Sequence, residues 1–430
     1  MPLRSLFLDL NSYFASCEQL MHPELRGKPV AVVPALVDTT CCIAASYEAK
    51  KLGVKTGTRV GDARRMCPGI ILVTGKHEHY IRIHHEIIAA VDTVIPVHKV
   101  CSVDEMECRL LGKEREPDRA IAIAHRVKAA IRDRVAGGEP GVLTCSIGLA
   151  PNRVLAKVAS DMQKPDGLVV LREEDLPHKL EALTLRDMPG IGPKMEIRLK
   201  ERGVRTMADL IDRSSEELVN IFGSVHGDYW WHWLRGHDNE PRETGTHSIG
   251  HQHVLPPKHR NLADARAIII RLLHKAAARM RAKNLLAPTV CVFVSTMNEY
   301  GIGGGGPASG SGRWGPKSSW ERTLKLGLPT DDTLAFIDAF AGAWKSAESE
   351  LAAARLLMVG ITLVDLTPAA GLTLPLFGQS RPRQKLGAVM DKINTTYGKG
   401  TLYPASMHVA KDAAPVRIAF HSIPDLDLPA

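Results

Sequence analysis

Two short runs decide what this chain can fold into, because each sets carboxylates among residues that belong in a core. The first, Arg4-Ser-Leu-Phe-Leu-Asp-Leu10, reads as a buried strand with Asp9 near its end. The second, Val100-Cys-Ser-Val-Asp-Glu105, lies within Lys99 to Leu110, which reads as a strand pair. A carboxylate inside an apolar strand is costly unless it is paired or binds a cation. Adjacent strand residues face opposite ways, so if Asp104 points with Asp9 into one site, Glu105 must reach it from a strand end or a distorted turn. Two readings follow. The acids converge on Mg²⁺, holding it by a few oxygens and leaving positions for substrate phosphates and water, or they are unrelated buried acids with satisfied hydrogen bonds.

The chain has 430 residues, 44% hydrophobic and 24% charged, which excludes disorder as its main state and allows about two to four domains. It contains no run of about 18 uncharged apolar residues, and Asp9 interrupts the N-terminal apolar run where a signal peptide would not. A cytoplasmic protein with no membrane partner is expected. A net charge of +8 favours a polyanionic partner such as nucleic acid. The eight cysteines form no C-x-x-C pair and read as reduced core thiols rather than zinc ligands.

Strand and helix alternate through the first 165 residues. Pro29 to Val33 reads as a strand, Cys42 to Lys51 as a helix closed by Gly53, and Ile81 to Val94 and Arg119 to Val135 as amphipathic helices. Val142 to Leu149 is a strand and Asn152 to Met162 a helix with Val154, Leu155, Val158 and Met162 on one side. Beyond the turn Lys164-Pro-Asp-Gly167 the chain turns helical and short-looped to about Asn239. Residues 246 to 365 read as one βαββαβ unit. Its central hairpin carries Gly301 to Gly315, a Gly/Ser/Pro-rich insert with the composition of a solvated loop.

Other residues offer grips for phosphate. Tyr47 and Lys50 stand three apart on one helical face, suited to a triphosphate, and Lys164 is a third such group. In Met188-Pro-Gly-Ile-Gly-Pro-Lys194, glycines between two short helices free backbone N–H groups to face an anion. That segment resembles the helix-hairpin-helix motif, which binds the DNA backbone through Gly190, Ile191, Gly192 and Lys194 without reading bases.

Phe7-Leu-Asp-Leu-Asn-Ser-Tyr-Phe-Ala-Ser-Cys-Glu18, Ala45-Ser-Tyr-Glu-Ala-Lys-Lys-Leu-Gly-Val-Lys-Thr-Gly57, Ser102-Val-Asp-Glu-Met106, Ser146 to Ser160, Lys164-Pro-Asp-Gly167 and Met188-Pro-Gly-Ile-Gly192 stand in a telling order. Over residues 4 to 366 the chain resembles the Y-family translesion DNA polymerases, most like the polymerase IV branch. The resemblance implies an α+β right-hand fold. Its parts would be a mixed α/β palm (1–20 and 76–165), small fingers (21–75), a helical thumb (166–240) with the helix-hairpin-helix, a βαββαβ little finger (246–366) and a C-terminal tail (367–430). It implies two Mg²⁺ ions on Asp9, Asp104, Glu105 and the Leu10 carbonyl. Triphosphate ligands would be Tyr47, Lys50 and Lys164, with Phe14 as the sugar-selecting aromatic. The implied reaction is template-directed nucleotidyl transfer to primer-template DNA from dNTPs by a monomer. Fingers this small imply low fidelity and tolerance of damaged templates.

The chain departs from the family pattern at Lys50 (usually arginine), Asn11 (frequently aspartate) and Glu107-Cys108-Arg109 (usually aromatic and acidic residues). One rival reading is a polymerase-like scaffold that binds DNA and recruits other factors; retention of Asp9, Asp104, Glu105 and Phe14 together argues against it. A structural DNA-binding protein using the hairpin alone would leave those acids unexplained. In the tail, Thr373-Leu-Pro-Leu-Phe377 resembles the peptide that docks bacterial polymerases on the sliding clamp, with Leu374, Leu376 and Phe377 as contacts and Thr373 in place of the usual glutamine.

Overall fold

The computed structural model describes residues 2–38, 40–241, 245–296, 318–371, 382–414, 418 and 423. The insert from Gly301 to Gly315 and the peptide carrying Leu374, Leu376 and Phe377 lie outside them. The chain divides into two units, one reaching to residue 241 with Ile418 and Ile423, the other spanning residues 245–414.

In the first unit the apolar run at the N-terminus becomes β1 (Ser5–Leu10), every residue of which is buried. It leads into α1 (Tyr13–Met21) through Ser12, whose left-handed backbone (φ 50°) turns the chain within two residues. Next come β2 (Val30–Val33), β3 (Ala44–Ala45), α2 (Tyr47–Lys51), α3 (Val60–Met66) and β4 (Ile71–Thr74), which build a three-stranded sheet in the order β3-β2-β4. The helix expected from Cys42 begins five residues later. Ala44 and Ala45 pair antiparallel with β2 instead, and Ser46 caps the helix, its Oγ accepting from the Ala49 N–H at 3.4 Å.

The chain continues through α4 (His77–Asp92), β5 (Val97–Val100), β6 (Glu105–Arg109), α5 (Pro117–Arg134), β7 (Cys145–Ala150), α6 (Arg153–Met162) and β8 (Leu168–Val170). These strands and β1 form a sheet ordered β5-β6-β1-β7-β8, with β1 at its centre. Alternation along β1 sends Leu6, Leu8 and Leu10 into a core shared with α4 and α5, and Phe7 into the core under α6. Asp9 shares the parity of Phe7 and so faces α6. That helix lies against β7 because residue 148 is glycine: a Cβ there would stand 1.9 Å from the Ala156 carbonyl oxygen.

The helices α7 (His178–Glu181), α8 (Pro193–Glu201), α9 (Met207–Ile211), α10 (Ser215–Phe222) and α11 (His226–Leu234) complete the unit. The first helix expected in the hairpin motif is a single 3-10 turn, Leu185–Asp187. Asp187 folds back on the Thr184 N–H at 2.7 Å, and Met188 precedes a proline, which disfavours helical backbone there.

The second unit runs β9 (Ser248–Val254), α12 (Leu262–Ala282), β10 (Leu285–Thr296), β11 (Ser318–Thr330), α13 (Thr333–Glu350) and β12 (Leu356–Val364), the βαββαβ order read from the sequence. Its sheet is ordered β11-β10-β12-β9, and the short β13 (Thr367–Pro368) pairs with β10. Trp320 and Trp344 meet edge to face at 5.7 Å in the core beneath α12 and α13. The tail adds α14 (Pro382–Tyr397), which Asp391 ties to Arg281 at 2.6 Å, and a 3-10 helix, Ala405–Ala410. Among the described residues no helix is long and apolar enough to cross a membrane, and all eight cysteines are free.

Candidate active site

The acids come together through the register of β1 and β6, which sets Asp9 directly opposite Glu105. The orientation differs from the one expected. Glu105 is a regular strand residue on the face of Asp9, and it is Asp104 that occupies the irregular position, in the bend before β6. Its carbonyl accepts from the Leu10 N–H at 2.8 Å, which fixes the bend against the end of β1. Burial raises the Asp9 carboxyl to about 6, the Lys164 ammonium 2.7 Å away offsetting only part of that cost. Burial likewise raises Asp104, against a hydrogen bond from Ser102 that favours its ionised form. Burial alone would lower Lys164, but Asp9 and Asp161, each 2.7 Å away, drive it well up.

Helix α6 supplies the facing charges. Arg153, Lys157 and Asp161 repeat every four residues; Lys157 pairs with Glu105, Arg153 lies 3.6 Å from Glu107, and Asp161 holds Lys164. Four-residue spacing of charges on a helix is a signal that could have found this row. Glu107 is fully buried on the same sheet face, where Ser5 donates to it at 2.8 Å and Arg109 lies 3.5 Å away. Arg109 then reaches Asp238 and Glu240. The departure at 107–109 thus forms an internal charge network beside the acids.

Asn11 is the other departure, and it is structural glue for Lys164. Its Oδ1 accepts from the Asp166 N–H at 2.8 Å and the Thr144 hydroxyl at 3.0 Å, while its Nδ2 donates to Ser146 Oγ at 3.1 Å. Ser146 Oγ also accepts from the Gly167 N–H at 3.2 Å. The Lys164–Gly167 turn is therefore stitched to the ends of β1 and β7.

Tyr47 and Lys50 approach from α2, the Lys50 ammonium lying 4.5 Å from the Tyr47 ring centre. Burial lowers Lys50 and raises Tyr47, and both feel Lys164 and Asp9, so the four groups share one electrostatic site. Phe14, half-buried on α1, stacks on Tyr80 at 4.7 Å and meets His77 edge-on at 5.8 Å. The hairpin residues sit apart from this cluster. Ile191 is buried among α8–α11, Gly190 takes φ 97°, and Gly190, Gly192 and Lys194 are exposed at the start of α8.

Asp9, Asp104, Glu105 and the Leu10 carbonyl offer hard oxygen donors of the kind Mg²⁺ takes. Two carboxyls whose ionisation is opposed by desolvation, and lysine ammoniums drawn onto two of the three acids, are the setting a divalent cation would relieve. These acids are not drawn tightly together: among the described residues the one group of three whose potential ligand atoms all lie within 4.8 Å of one another is His98, Glu107 and Glu240. There the Arg109 guanidinium already supplies the cation.

Residues 8–161 match the impB/mucB/samB family, residues 246–376 its C-terminal domain, and residues 186–238 the thumb domain of DNA polymerase iota. The chain is 32% identical to the DNA polymerase IV of Moorella thermoacetica, over 93% of this chain and 95% of that one. It is 38% identical to DNA polymerase IV 2 of Mesorhizobium japonicum, over 67% and 68%. A Y-family DNA polymerase chimera of Dbh and Dpo4 superposes with a TM-score of 0.67 at 22% identity, covering 85% of this chain and 99% of that one, a likeness of fold. Sequence identity sustained over nearly the whole length, with the family's two domains in order, makes this chain a member of the impB/mucB/samB family, the Y-family DNA polymerases, on the DNA polymerase IV branch.

Proposed function

We propose that this chain, a DNA-directed DNA polymerase, copies damaged templates by two-metal nucleotidyl transfer at the Asp9–Asp104–Glu105 cluster. The observation that carries the reading is the register of β1 on β6, which gathers these acids beside Lys164, Tyr47 and Lys50. Asp9, Asp104, Glu105 and the Leu10 carbonyl would hold two Mg²⁺. When bound, the ions lower the pKa of the primer 3′-hydroxyl and neutralise charge on the departing pyrophosphate. Lys164, held between Asp9 and Asp161, would offer its ammonium to the triphosphate. Tyr47 and Lys50 hold the other phosphate oxygens, Lys50 as a point charge rather than a bidentate fork. Phe14 fills the space a 2′-hydroxyl would need, braced by Tyr80.

Residues 1–20 and 76–165 would act as palm, 21–75 as fingers, 166–240 as thumb and 246–366 as little finger. Gly190, Ile191, Gly192 and Lys194 would grip the DNA backbone. The chain would work as a cytoplasmic monomer docked on the sliding clamp by Leu374, Leu376 and Phe377. Primer extension tests the core of this reading. Asp104→Ala should abolish synthesis on intact and damaged templates while DNA binding survives. Residual synthesis above about one percent, a loss under about 3 kcal/mol of barrier lowering, would contradict it.

A further inference from the structure

The second unit holds a group of cations that the proposed chemistry leaves unused. Arg271, Lys275 and Arg279 repeat every fourth residue and share one face of α12. Lys275 is 4% exposed, and its ammonium donates to the Ala414 carbonyl at 2.7 Å. Among the described residues the one acid acting on the three is Asp412, on Arg271. Arg279 donates to the Gly250 carbonyl at 2.9 Å, but among the described residues the buried Nε atoms of Arg271 and Arg279 and Nδ1 of His251, on β9, find no hydrogen-bond partner.

Chain from the tail closes over this face. Met407, Ala410 and Ala414 join the core beneath it, and the turn Gly398-Lys399-Gly400 brings Lys399 within Coulomb reach of Lys275. Both glycines of that turn have left-handed backbone and open space beside them. Burial and the neighbouring cations push Lys275 down to about 7 and His251 down to about 3. A fold that buries like charges and leaves donors unmet keeps a cost that an anion offsets.

We propose that Arg271, Lys275 and Arg279, with the Gly398–Gly400 turn, form a binding site for a phosphate-type dianion. Two arginine forks and a lysine on one helix face offer more donors than a carboxylate can accept, whereas a tetrahedral phosphate carries oxygens enough for them. The anion is a free phosphate species or a phosphate of a nucleic-acid backbone.

The test is calorimetric titration of inorganic phosphate into the full chain at constant ionic strength, compared with Lys275→Met and Arg279→Gln. Each variant should weaken this binding at least tenfold, whereas Lys164→Ala, in the proposed triphosphate site, should retain it. A short DNA duplex then separates the two sources. If Lys275→Met also weakens duplex binding, the anion is a backbone phosphate; if phosphate binding alone changes, it is a free species. Phosphate affinity unchanged in both variants overturns the proposal. Amide hydrogen exchange on the wild-type chain needs no variant: phosphate must slow exchange in residues 399–414 and along α12, and no protection there also overturns it.

Discussion

Asn11→Ala isolates the link between the departure at position 11 and nucleotide binding. The substitution removes three hydrogen bonds at 2.8, 3.0 and 3.1 Å from a side chain 2% exposed. A hydrogen bond contributes about 1 kcal/mol net. The Asp166 N–H belongs to an exposed residue that water can reach, and Ser146 keeps its bond to the Gln163 carbonyl. The stability loss should therefore be about 2 kcal/mol, read as a lower urea midpoint at unchanged slope. Freed from β1, the Lys164 turn presents its ammonium less often, so KM for the incoming nucleotide should rise about tenfold, or 1.4 kcal/mol. Single-nucleotide primer extension over a dNTP titration reads this. Because Asn11 acts only through the turn, Asn11→Ala should add little to Lys164→Ala in a double-mutant cycle. Asn11→Asp, which keeps the acceptor for Asp166 and Thr144, should recover most of the loss. Full additivity with Lys164→Ala, or an unchanged KM, would refute the reasoning.

Phe14→Ala should admit ribonucleotides, raising their incorporation relative to dNTPs, whereas a ring that serves only as core would lower both rates alike. Asp9 gives a pH test in the presence of chelator. Burial holds it at about 6 against 3.8 for a free carboxyl, so the native state binds this proton more tightly and ionisation opposes folding. Wild-type stability should fall as pH rises from about 4 to 6, by up to about 3 kcal/mol, and Asp9→Asn should lack that component. DNA affinity should fall steeply between about 50 and 200 mM salt with little sequence preference, and Lys194→Ala should reduce the logarithmic salt slope by about one. Leu376→Ala with Phe377→Ala should lower clamp-stimulated synthesis and spare clamp-free extension; equal loss in both would mark them as packing residues.

Much of this protein is written in short-range pattern. Continuous apolar runs mark β1 and β7, which are buried on both faces, and 3.6-residue stripes mark α4 and α5, because burial leaves the same trace wherever the element ends up. The ordered motifs around Asp9, Tyr47, Asp104 and Lys164 likewise name the family before any coordinates are known. The three-dimensional relations were out of reach. That Glu105 and not Asp104 lies in register with Asp9 depends on where the bend before β6 falls, and a one-residue slip reverses every facing. That Lys157 meets Glu105, and that Asn11 stitches the Lys164 turn, depends on α6 and β7 approaching across Gly148. Local sequence determines which residues can be buried and with what period. Which buried charges meet is decided by contacts between residues from 52 to 155 positions apart, and only the packed sheet and its helix select those.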